Sequence, residues 1–92
     1  MDKIEKLHLM EKVIRELDDV VNSQTSLLKK VAQLEVENIN LGNQLLEKQL
    51  PEIHEKADEA LSIATVLQTA FTEVKDKFIK DNKLDEVLPE AK

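Results

Sequence analysis

The residues of this chain with the greatest capacity for chemistry are two histidines and a scatter of carboxylates. His54 and Asp58 stand four apart, which would place both on one face of a helix. Two donors without a third or fourth make a poor metal site, and His8 is remote in sequence. Glu35, Glu37, Glu52, Glu55 and Glu59 contain no pair that spacing singles out for acid–base work, so they read as solvated faces and helix-end charges. A chain with one glycine has no phosphate-cradling loop, nucleophile elbow or dinucleotide fingerprint. Having no cysteine, it forms no disulfide framework and no thiolate zinc site. The expectation is a protein that is not an enzyme and needs neither cofactor nor metal.

The elements that would position any site are helical. One Gly, two Pro, no Trp or Tyr and two Phe, among abundant Leu, Glu, Lys, Val and Ala, favour long helices over a sheet. Ninety-two residues allow one domain with a modest core, a limit that self-association relieves. The predicted class is all-α, with long helices forming a coiled-coil or helical-hairpin bundle completed by self-association.

Residues 1–50 read as an amphipathic coiled-coil helix. Leu7, Met10, Ile14, Leu17 and Val21 alternate steps of three and four. Residues 22–26 interrupt this with five uncharged polar side chains, a candidate break. Continuity is favoured, because Val21, Gln24, Leu27 and Val31 carry the seam forward at the cost of a local overwinding. Beyond it, Leu27, Val31, Leu34, Asn38, Leu41 and Leu45 form a candidate self-association seam of heptad type. An Asn at Asn38 would select a parallel dimer by pairing with its counterpart. Gly42-Asn43 could instead end the helix, since Gly is favoured just past a C-terminus, but the seam stays in phase across it, so Gly42 is treated as a tolerated weak point.

Pro51 is read as the main boundary, since proline suits the first turn of a helix and restricts the residue before it. Residues 51–80 are the second amphipathic helix, with acids crowding its start and lysines its end, as a helix dipole prefers. A hairpin reversal at Pro51 is favoured over a kink. Within this helix Ile53, Ala57, Ala60, Ala64, Leu67, Phe71, Val74 and Phe78 recur at steps of four and three, and residues 60–72 carry no charge. Thirteen helical residues span only about 20 Å, too short to cross a bilayer. Ala60, Ile63, Ala64, Leu67, Phe71, Val74 and Phe78 are the candidate bundle or partner face. Residues 81–92 read as an acidic tail, with Leu84, Val87 and Leu88 on one turn.

The formal charge of −6 supplies no basic footprint for nucleic acid and no basic rim for anionic lipid. The first residues lack the apolar core of a signal peptide, so a cytoplasmic location is expected. The function predicted is a non-enzymatic, self-associating interaction module, an adaptor, regulator or scaffold. It would form a homo-oligomer (dimer or tetramer) and engage a second protein, with no direct contact to nucleic acid or membrane. The alternative is an acidic inhibitor that imitates nucleic acid on a DNA-binding protein. The opening Met1-Asp2-Lys3 and the patch Glu37-Asn38-Ile39-Asn40-Leu41 resemble the N-terminal coiled coil of the YabA family of bacterial replication-initiation control proteins. That family also carries a Cys/His zinc region, which a chain without cysteine does not match. The resemblance implies oligomerisation and protein partners.

Overall fold

The computed structural model describes residues 1–84, which form two long helices, α1 (Lys3–Leu41) and α2 (Gln44–Asp81), folded into an antiparallel helical hairpin. Val87 and Leu88 lie outside the described residues. At the start of α1, Asp2 and Glu5 make a reciprocal capping box. The Glu5 N–H donates to Asp2 Oδ1 at 2.8 Å and the Asp2 N–H to Glu5 Oε1 at 3.1 Å. The helix then runs unbroken through residues 22–26. Thr25 turns its hydroxyl back onto the Val21 carbonyl at 2.9 Å, so its polar group decorates the helix without diverting the backbone.

The chain reverses at Gly42 and Asn43, nine residues before the expected turn at Pro51. Gly42 adopts a left-handed conformation (φ 69°) that suits a residue without Cβ, and its N–H closes α1 onto the Asn38 carbonyl at 2.7 Å. Asn43 caps α2 by accepting the Leu46 N–H at 3.0 Å. Asn38 clamps the two ends together. Its Oδ1 accepts the Asn43 N–H at 2.9 Å, and its Nδ2 donates to the Asn43 carbonyl at 3.1 Å.

Pro51 therefore sits inside α2. The proline lacks the N–H that would have reached the Glu47 carbonyl, and its ring lies at the exposed surface, so the helix continues with one backbone bond fewer. Leu41 and Leu45 fall on opposite sides of the reversal and cannot share one continuous zipper.

The observed seam also differs near residue 27. Leu7, Met10, Ile14, Leu17, Val21, Gln24, Leu28, Val31, Glu35 and Asn38 of α1 are buried or half-buried at steps of three and four. Leu28 takes the place assigned to Leu27, so the regular spacing persists and no overwinding is needed. On α2 the matching positions run through Leu50, His54, Ala57, Leu61, Ala64, Gln68, Phe71, Lys75 and Phe78. Residues equally distant from the turn lie level, as Val21 does with Ala64 and Leu28 with Ala57. The small alanines let the two backbones approach.

The core is thin. Among the described residues, the buried apolar side chains are Leu7, Val31, Leu50, Ala57, Ala64 and Leu84, and of these Leu7 alone is completely covered. Beyond α2, Asn82 bonds back to Phe78, and Lys83 turns left-handed (φ 56°) with its N–H on the Lys80 carbonyl. This returns Leu84 to the hairpin, where it is 5% exposed. A lysine at positive φ carries steric cost that glycine avoids. Lys83→Gly is therefore expected to raise stability by about 0.5–1 kcal/mol, read as a higher urea midpoint with an unchanged slope.

Candidate functional site

His54 points across the hairpin to Glu35, with Nδ1 and Oε1 3.0 Å apart, rather than joining Asp58. An ionised carboxylate only accepts, so the pair requires the proton on Nδ1. It replaces one apolar layer of the seam with a partly buried polar contact. His8 is exposed on α1, at the far end of the hairpin from His54. Among the described residues, no cluster of three or more His, Asp or Glu side chains could hold a metal ion. The Lys77 pKa is raised by its hydrogen bond to Asp81 at 2.8 Å and by that carboxylate's charge. Both side chains are exposed, and the pair joins successive turns at the end of α2. A shallow groove beside the turn is lined by Glu35, Asn38, Ile39, Leu46, Glu47, Leu50 and Pro51. Among the described residues, no helix is long and apolar enough to cross a membrane.

What the hairpin does display is an apolar flank. In an antiparallel pair, the positions beside the seam line up on the same side of both helices. On one side α1 presents Val13, Val20, Leu27, Leu34 and Leu41 at intervals of seven, and α2 presents Leu46, Ile53, Ala60, Leu67 and Val74 at the same interval. Val20, Leu27, Leu34, Ile53, Leu67 and Val74 are all 42–49% exposed. Each has one side against the hairpin and the other in solvent. Lys6 extends this row at the open end, where its ammonium lies 5.2 Å from the centre of the Phe78 ring. Ile63 and Val66, both 68% exposed, continue the surface outward from Leu67 together with Ala70.

The other side is polar through its middle, with Glu11, Asp18 and Thr25 on α1 and Asp58, Thr65 and Thr72 on α2. Asp18 accepts a hydrogen bond from Gln68 there at 3.3 Å. The hairpin thus has one apolar long face and one that is polar through its middle, with Ile39 exposed near the turn.

Against this geometry the sequence candidates divide. Of the zipper residues, Val31 and Asn38 are buried between α1 and α2, and Asn38 spends both amide groups on the turn. Leu27, Leu34 and Leu41 lie on the flank, while Leu45 is on the outer surface of α2, 65% exposed. Of the α2 candidates, Ala64, Phe71 and Phe78 face α1; Ala60, Leu67 and Val74 lie on the flank, with Ile63 beside them. The interval of seven from Val13 to Leu41 was present in the sequence. It is recognisable as a flank only once Leu28 is known to occupy the seam.

No protein family, curated protein or solved structure matches the chain.

Proposed function

We propose that this protein is a non-enzymatic helical interaction module that self-associates through the apolar flank and serves as an adaptor, regulator or scaffold in the cytoplasm. The observation that carries this is the matched half-exposure of Val20, Leu27, Leu34, Ile53, Leu67 and Val74 along one side of the hairpin. Isolated exposed leucines are ordinary on a protein surface, but a continuous row at heptad spacing on two adjacent helices supports reading this side as an interface. The internal seam supports the same reading. With Gln24, Glu35, Asn38, His54, Gln68 and Lys75 among its members, it buries little apolar surface for so long a hairpin.

The accessible surface of 7056 Å² exceeds the about 5,400 Å² expected of a compact protein of 10.5 kDa. Covering the flank would remove part of this excess. Association by burial couples stability to concentration, so the midpoint of thermal unfolding is expected to rise as protein concentration rises through the micromolar range. A midpoint independent of concentration would contradict self-association. Apolar cover of this kind should also hold when salt is raised, which separates it from charge mimicry of nucleic acid.

A further inference from the structure

Three features of the flank select its occupant and the direction in which that occupant lies. First, residues 20–28 of α1 and residues 60–72 of α2 carry no charged side chain, and the antiparallel register brings both stretches to the middle of the hairpin. A surface that fits must be uncharged at its centre and mixed in charge toward both ends, as this surface itself is. Second, the outer edge of the flank on α1 runs through Glu16, Ser23 and Lys30, all exposed and seven apart. Glu16 and Lys30 have no ion-pair partner within 4 Å among the described residues. Third, the hairpin measures 61 × 20 × 18 Å, so its long face has a larger footprint than the roughly 800 Å² per partner of a standard stable interface.

We propose that the flank is covered by a second copy of this chain whose turn lies at the opposite end, giving a four-helix bundle. This rests on the self-association put forward above and specifies its geometry. A two-fold axis passes beside Ser23 of α1 and Ile63 of α2, so each α1 lies over the partner's α1 and each α2 over the partner's α2. The uncharged middles then meet. Glu16 of each copy faces the partner's Lys30, and symmetry makes this attraction twice. With both turns at the same end, α1 would lie over the partner's α2 instead. Lys30 would then come level with the partner's Lys56, placing like charges together at two points of the rim.

A single spin label at Asn40→Cys, exposed near the turn of a chain without cysteine, reads the direction. At 1.5 Å rise per residue the opposed arrangement separates the two labels by about 50 Å. Turns at the same end would bring them within about 30 Å, given helix spacings near 10 Å and the added reach of the labels. A dimer with the short distance overturns this arrangement and leaves self-association standing. Absence of any intermolecular distance, with a monomeric mass, overturns both. Charge exchange provides a second readout: Glu16→Lys is expected to weaken the dimer about ten-fold, and adding Lys30→Glu to restore it to within about two-fold. A double variant no tighter than the single one would contradict the pairing of Glu16 with Lys30.

Discussion

Leu27→Asp combined with Leu67→Asp is expected to leave a helical monomer at concentrations where the unaltered chain is associated. Both side chains sit on the flank, 43% and 49% exposed, so neither is a main support of the internal seam. Burying the remainder of each leucine contributes about 1–2 kcal/mol to association, and a carboxylate forced into the same contact costs several more. In a symmetric dimer each substitution acts twice. The dissociation constant should therefore weaken by more than about a thousand-fold, from at least 4 kcal/mol in total.

Leu67 is a better site for this purpose than Phe71. Phe71 lies level with Ile14 against α1, and a charge there would damage the hairpin as well as the flank. Circular dichroism and light scattering on the same samples separate the two effects. Preserved helicity with halved mass supports the flank as the interface, whereas unchanged mass would remove it from that role.

The second large effect concerns the turn, and it has two opposite arms. Asn38→Ala should lower the unfolding free energy by about 2 kcal/mol, because it removes two hydrogen bonds and strips the Asn43 N–H of its side-chain acceptor. Pro51→Ala should raise it by about 1–3 kcal/mol, because alanine restores a helical N–H and relieves the ring's crowding of the Glu47 carbonyl. Were Pro51 the point of reversal, its replacement would instead weaken the fold. Urea unfolding at one fixed protein concentration compares all three chains without mixing in the effect of association.

These two sites also show which parts of the molecule were legible in the sequence. Helical content and the amphipathic repeat of both halves were legible because apolar spacing directly records which face is buried. The turn was misplaced because proline has a strong local signature, while the clamp from Asn38 to Asn43 depends on chain reversal and leaves no periodic trace. Gly42 followed by a capping Asn43 was nevertheless a usable signal, as was the Asp2 and Glu5 capping box.

The exchange of Leu27 for Leu28 has a different cause. Two adjacent leucines both permit a heptad path, and the choice between them is made by α2 across the hairpin. With Leu28 in the seam, the row through Leu27, Leu34 and Leu41 lies on the surface of α1. The same register divides the α2 repeat, sending Ala57, Ala64, Phe71 and Phe78 inward and Ile53, Ala60, Leu67 and Val74 to the flank. The repeat recognised in α2 was therefore two stripes, one that makes the hairpin and one that the hairpin presents.

Sedimentation equilibrium of the unaltered chain across the micromolar range tests the central claim most directly. Self-association through the flank predicts a mass that rises with concentration toward twice 10.5 kDa. A mass of 10.5 kDa at every concentration would contradict it.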